Sequence, residues 1–382
     1  MKISRRGSVD PFIVMAVMEA ARQRESAGAD IVHMEVGQPG TPAPRLAIEA
    51  AAAAMRAGPL GYTVALGLPA LRERIARHYA QRHGVSVDPG RIVVTMGASG
   101  AFILAFLALF EAGARVAMAD PSYPAYRNIL RALDVTPVGM PATQASGYQP
   151  TPQLLADAGR GGRIEGVLAA SPANPTGTML GAEAMAALAA ECRRIGAVLI
   201  SDEIYQGLEY GQPGVTALRF DEGAVVINSF SKYWSMTGWR VGWMVVPPAL
   251  VETIERLAQN LFICPPHVAQ VAALAAMDAD DELQANLALY RRNREILLND
   301  LPAAGFDSFA PCDGAFYLYA DISAMTDDSV DFCARMLAEA GVAATPGVDF
   351  DPRRGRRTMR FSFAGPTERM VEGARRLKAW RR

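Results

Sequence analysis

Lys232 sits where a surface lysine is out of place. In SFSKYWSMTGWR (229–240) it follows the apolar run Val225–Val226–Ile227 and is crowded by Phe230, Tyr233, Trp234 and Trp239, with Arg240 the next cation. A largely desolvated lysine favours its neutral amine, which is a nucleophile towards carbonyl carbon. Arg240 pushes the same way, and a lysine snorkelling from an interface is the competing reading. Asp202 closes another apolar run, Ala197–Ser201, with Glu203 and Tyr205 next. A carboxylate at the end of a buried strand is costly unless a cation or donor faces it. A helix N-cap accounts for Asp202 equally well but says nothing of Tyr205. In MGASG (96–100) small residues lead into a helix start near Ser99, whose free amides and dipole favour a phosphate; a tight turn into a core helix is the alternative. In SPANPTG (171–177) prolines and a glycine stiffen a loop carrying Asn174, which an ordinary turn also permits.

The elements that must position these groups are short apolar runs: Ile92–Thr95, Arg115–Met118, Gly166–Ala170, Ala197–Ser201, Ala224–Asn228 and Val241–Val246. Several lack polar alternation and read as strands buried on both faces. Helical segments lie between most of them, including the alanine-rich 181–195 and the apolar 99–110. Strands alternating with helices imply an α/β domain with a mostly parallel sheet sandwiched by helices, and ligands of such sheets gather at the carboxyl ends of the strands. Beyond a break near 278–283 the pattern changes. A charged helix over 283–300 is followed by GAFYLYADIS (314–323) and RTMRFSFA (357–364), which alternate like half-exposed strands, and an amphipathic helix follows Pro366. This predicts a smaller α+β unit.

With 382 residues, two domains or one large domain with an annex are expected. Thirty-eight basic residues against 39 acidic ones argue against a nucleic-acid partner bound by bulk charge. The basic cluster at 353–357 reads as a solvated turn. Four cysteines without a C-x-x-C pair point to a reducing, cytoplasmic setting, and four scattered histidines predict no metal. The apolar stretch 93–110 is long enough to raise a membrane span, but GASG divides it into strand and helix. Residues 11–18, behind Lys2, Arg5 and Arg6, faintly resemble a signal peptide. Glu19, Arg22 and Arg24 follow at once without a clear cleavage site.

An anion cradle, a buried carboxylate, a phenol, an amide and a reactive lysine after strands of one sheet match pyridoxal 5′-phosphate held as a lysine imine. At this point the chain resembles the class I/II aminotransferases of fold type I, the aspartate aminotransferase superfamily. The resemblance runs nearly end to end, through VGQPGTPAP (36–44), GYTVALGLPALR (61–72), TMGASGA (95–101), DPSYPAY (120–126), SPANPTGT (171–178), SDEIYQGL (201–208), SFSKYWSMTGWRVGW (229–243) and MRFSFA (359–364). It implies that Lys232 carries the cofactor and shuttles protons, and that Asp202 pairs with the pyridine nitrogen. Tyr205 and Asn174 would bond the ring hydroxyl, and Tyr123 would stack on the ring. Ser229, Arg240 and the Ala98 and Ser99 amides would hold the phosphate, with Tyr62 reaching the phosphate of a neighbouring subunit. Arg360 would clamp the substrate carboxylate, which Gly37 also approaches; an exposed charge on an edge strand is the alternative for Arg360. Thr237 stands where many relatives have proline.

The resemblance further implies a large cofactor-binding domain at 46–280 and a small α+β domain formed by the two chain ends, 1–45 and 281–382. The implied reaction moves the amino group of an L-amino acid to a 2-oxo acid by a ping-pong route through the Lys232 imine. A C–S β-lyase, or other Cα chemistry on the same scaffold, remains an alternative. The implied assembly is a homodimer with shared active sites, with no nucleic-acid or membrane partner. A nucleotide-binding α/β protein would need a G-x-G-x-x-G or a P-loop, and neither occurs.

Overall fold

The computed structural model describes residues 2–380. The strands are β1 (Val32–His33), β2 (Ile92–Thr95), β3 (Arg115–Asp120), β4 (Thr136–Pro141), β5 (Gly166–Ala170), β6 (Val198–Asp202), β7 (Val225–Ser229), β8 (Gly242–Val245), β9 (Tyr317–Asp321), β10 (Val342–Ala343), β11 (Thr345–Pro346) and β12 (Thr358–Ser362). Seven of them form one sheet in the order β2-β8-β7-β6-β5-β3-β4. Only β8 runs antiparallel to its neighbours. The other six share one direction, so their carboxyl ends open on the same side.

The apolar runs are buried on both faces because helices cover both. The helices are α1 (Ile13–Ser26), α2 (Arg45–Ala57), α3 (Pro69–His83), α4 (Gly97–Leu109), α5 (Pro124–Ala132), α6 (Pro152–Gly159), α7 (Ala182–Ile195), α8 (Pro248–Leu261), α9 (His267–Ala276), α10 (Asp280–Asp300), α11 (Ser329–Arg335) and α12 (Thr367–Trp380). Val94, Val167, Leu199, Val226 and Trp243 pack with Leu71 and Ile75 of α3 and Leu188 of α7. Their sequence neighbours Val93, Leu168, Ile200, Val225 and Met244 face the other way, onto Phe102 and Phe106 of α4, Leu130 of α5 and Ile254 of α8. That is the period-two alternation of a strand with both faces apolar.

One strand escapes the sequence pattern, and one reading of the sequence needs correction. β4 carries no apolar run, and the sequence pattern does not reveal it. It is one of the two edge strands, only one of its six residues is fully buried, and it contains Pro137 and Pro141, which an edge tolerates because one side needs no ladder bonds. The segments expected to alternate as half-exposed strands form β9 and β12, and they are almost wholly buried. They join β11 in a three-stranded sheet ordered β11-β12-β9. The alternation is real, but its polar face, with Tyr317, Tyr319 and Arg360, is covered by protein and the cavity instead of water.

Candidate active site

The carboxyl ends of the central strands open into a cavity of about 630 Å³. Lys232, Asp202, Tyr205, Asn174, Tyr123, Ala98, Ser99, Arg240, Arg360 and Gly37 all line it. Lys232 stands three residues past β7 on a turn backed by Phe230, Trp234 and Trp243, whose rings meet at centroid distances of 4.9–5.7 Å. Its Nζ donates to the Gly37 carbonyl at 2.6 Å. Burial pushes this amine down to about 8, helped by Arg360 and Arg240 and opposed by Asp202. The lysine faces the cavity and does not snorkel to the outer surface.

Asp202 ends β6, and turns follow it, not a helix, which removes the N-cap alternative. Its carboxylate accepts from the Tyr126 hydroxyl and, at 3.1 Å, from the Ile204 amide. Burial pushes its carboxyl up to about 6 despite those donors and Lys232. Such a carboxylate gains from a cationic partner supplied by a ligand. Tyr205 meets the Tyr317 hydroxyl at 2.7 Å, and burial holds its phenol well above its ordinary range.

Arg360 is on the central strand of its sheet and is buried, so it is no exposed edge charge. It donates to Asn174 Oδ1 at 2.8 Å and to the Glu35 carbonyl at 2.5 Å. Its guanidinium lies over the rings of Tyr317 and Phe350, 4.3 and 4.7 Å from their centroids. Its Nε is buried without a partner. An unpartnered N–H of a buried cation fits an incoming carboxylate.

The anion cradle begins at Gly97, the first residue of α4, two residues before the expected start. Gly97 has φ +66°, and a Cβ there would come within 2.4 Å of the Arg240 guanidinium. Gly242 is as tightly placed, since a Cβ would meet Asn228 O at 2.8 Å and Ala98 N at 3.2 Å. The two glycines let the first turn of α4, Arg240 and β8 converge around a space that a side chain would fill. Amides of a helix's first turn have no partner within the helix, so this space fits a phosphate. With the basic Lys232, the anionic Asp202 and this cradle around one cavity, the residues present fit pyridoxal 5′-phosphate.

Two of the expected residues lie elsewhere. Ser229 is fully buried beneath the wall. It donates to the Val241 carbonyl at 3.1 Å and accepts from the Ser231 amide at 3.1 Å, while Ser231 itself lines the cavity. Tyr62 is 82% exposed on a loop outside the cavity of its own chain. Sequence reasoning passed over Tyr126, Tyr317 and Ser231. Tyr126 had no signal of its own, since Tyr123 is the extended residue before α5 and the three-residue spacing places no common helix face. Tyr317 had only its place in an alternating strand. It also explains Gly37, where a Cβ would lie 2.1 Å from the Tyr317 hydroxyl.

Comparison with known proteins agrees with this geometry. The family described as aminotransferase class I and II matches residues 29–377. A valine–pyruvate aminotransferase of Mycobacterium tuberculosis is 48% identical, over 99% of this chain and 98% of its own. The crystal structure of an aminotransferase from Mycobacterium tuberculosis superposes with a TM-score of 0.97 at 48% identity, covering 100% of this chain and 99% of the other. Aspartate aminotransferase from Thermus thermophilus with maleate superposes with a TM-score of 0.93 at 30% identity, over 99% of each chain. The chain belongs to the class I and II aminotransferases, enzymes that use pyridoxal 5′-phosphate to move an amino group from an amino acid to a 2-oxo acid.

Proposed function

We propose that Lys232 takes up the cofactor, and that its Nζ would then remove the substrate Cα proton and pass it to the cofactor carbon that receives the amino group, the second stage running the same transfer in reverse. The carrying observation is the convergence of Lys232, Asp202 and the unpartnered Nε of Arg360 on one cavity. When bound, pyridoxal 5′-phosphate supplies a carbonyl that accepts the amino group and a ring that absorbs the electrons left as the Cα proton departs. Asp202 keeps the ring nitrogen protonated. Tyr205 and Asn174 hydrogen-bond the ring hydroxyl, and Tyr123 packs on the ring. The Ala98 and Ser99 amides, Ser231 and Arg240 hold the phosphate, with Ser229 positioning Ser231 from beneath. Arg360 and the Gly37 backbone fix the substrate carboxylate, so that the Cα proton faces Lys232.

The two stages share one site, so the first product leaves before the second substrate enters. Holoenzyme given an amino donor alone therefore releases one equivalent of 2-oxo acid, with loss of the visible cofactor band. Continuous release of ammonia and pyruvate from a cysteine conjugate without any acceptor would overturn amino-group transfer. The site is completed by a second copy of the chain, with Tyr62 serving the neighbouring cradle. Residues 46–280 act as the cofactor-binding body, built on the seven-stranded sheet, and 1–45 with 281–382 as the smaller one, built on the three-stranded sheet and the β1–β10 pair. The four free cysteines support a reducing cytoplasm. No helix among the described residues is long and apolar enough to cross a membrane.

A further inference from the structure

The named relatives differ in donor, valine in one and aspartate in another. We infer that the N-terminal half of α1 reads the substrate side chain, and that it selects apolar amino acids over acidic ones. This rests on the amino-transfer reading above.

Phe12, Val14, Met15 and Met18 line the cavity on the α1 side, and Val36 and Ile129 continue the wall. This end of α1 is poorly buried in the protein itself. Met15 is 59% exposed, and along the whole helix only Ala21 is fully buried. Polar contacts secure it. Asp349 accepts from the Ile13 and Val14 amides at 3.1 and 3.4 Å. Just before it, Asp10 pairs with Arg131 at 3.0 Å and its carbonyl accepts from Asn128 at 3.1 Å. A helix end fixed by polar contacts, with its apolar side chains at a cavity mouth, has apolar surface left to bury, and a substrate side chain would bury it.

Charge points the same way. Among the described residues the cations lining the cavity are Lys232, Arg240 and Arg360. All three are committed to the cofactor or the α-carboxylate. From this chain, therefore, a second carboxylate would meet methionine and phenylalanine and no uncommitted cation. Methionine adapts to side chains of differing shape, so the selection is for apolar character more than for one outline.

The test uses holoenzyme and two readouts. The first is the rate of cofactor-band loss with alanine, leucine and aspartate in single half-reactions. The second is calorimetric binding of the unreactive acids propanoate, 4-methylpentanoate and succinate. Each buried CH₂ is worth roughly fourfold, so wild type should favour leucine over alanine by at least tenfold and 4-methylpentanoate over succinate. In a Met15→Gln, Met18→Gln double variant both preferences should fall about tenfold, and Met15→Leu should keep them. Reaction with alanine reports that a variant is folded and loaded. A wild-type preference for aspartate, or ratios unmoved in the double variant, overturns the inference. If no donor reacts while 4-methylpentanoate still outbinds succinate, amino transfer fails and the apolar wall stands.

Discussion

At the scale of single residues the chemistry depends on one amine held short of full protonation. Lys232 is pushed down to about 8 chiefly by burial, so its neutral, reactive form grows as pH rises through that value. The rate at which cofactor-free protein captures pyridoxal phosphate, followed by visible absorbance, should climb with pH to a plateau above about 8. Lys232→Ala should lack the band and lose about 10²–10⁴-fold in the half-reaction. Arg360 is a different case, because its charge matters less than its fork. Arg360→Lys keeps the cation but gives up bonds that Nε and the terminal nitrogens make at fixed angles. A loss of about 1.5–3 kcal/mol, or roughly 10–150-fold in kcat/KM, is expected from steady-state rates across donors. Lys232 was legible in the sequence as a lysine amid tryptophans, whereas Arg360 came only through the resemblance of MRFSFA, because an arginine in a half-exposed strand is ordinary. Tyr317 and Tyr126 were not legible. A tyrosine in a strand or helix is ordinary, and their contacts with Tyr205 and Asp202 join segments 112 and 76 residues apart.

At the scale of elements the site depends on how segments are pinned. β1 is two residues long and pairs only with β10, yet the chain beyond it must hold the Glu35 carbonyl against Arg360 and the Gly37 carbonyl against Lys232. His33 ties it down. Its Nδ1 lies 2.8 Å from the buried Glu35 carboxylate, and its Nε2 lies 3.0 Å from Glu25 on α1. The hydrogen bond to Glu35, with Glu25 adding, raises the imidazole to about 9 against the cost of burial. A raised histidine stabilises the fold fully below its ordinary value of 6.5, and that stabilisation is lost as pH rises through about 9. The melting-temperature gap between wild type and His33→Gln should therefore be widest near pH 6 and narrow towards pH 10; a gap independent of pH would refute the pairing. None of this was readable from the chain, where His33 is one of four scattered histidines. The main strands were readable because a strand covered on both faces must be apolar throughout. β4 and the burial of β9 and β12 were not, because edge position and a polar cavity both imitate solvent exposure.

At the scale of the whole molecule, the proposed dimer draws on an exposed cradle and an exposed apolar patch. Arg240 and Ser99 are exposed at the cradle, so the phosphate end of the site lacks a cover. Nearby surface is apolar. Tyr62, Val64, Leu261 and Ile263 are 82%, 56%, 48% and 51% exposed. Their loops are held together, with the Thr63 amide donating to Cys264 Sγ at 3.4 Å, Gln270 to Thr63 Oγ1 at 3.0 Å, and His267 to the Gly61 carbonyl at 3.0 Å. Apolar side chains on well-pinned loops fit the contact surface that the proposed dimer needs. In a two-fold dimer the same patch meets itself, so each chain can give its Tyr62 to the other's cradle. Two variants separate assembly from phosphate binding. Ile263→Asp buries an unpaired charge at the contact and should sediment as a monomer that loses its cofactor on dialysis. Tyr62→Phe keeps the apolar surface, so it should remain a dimer yet release cofactor at least about tenfold faster, the cost of one hydrogen bond to a charged group. A monomeric Ile263→Asp that retained its cofactor as wild type does would show that each chain closes its own cradle, and would remove Tyr62 from the site.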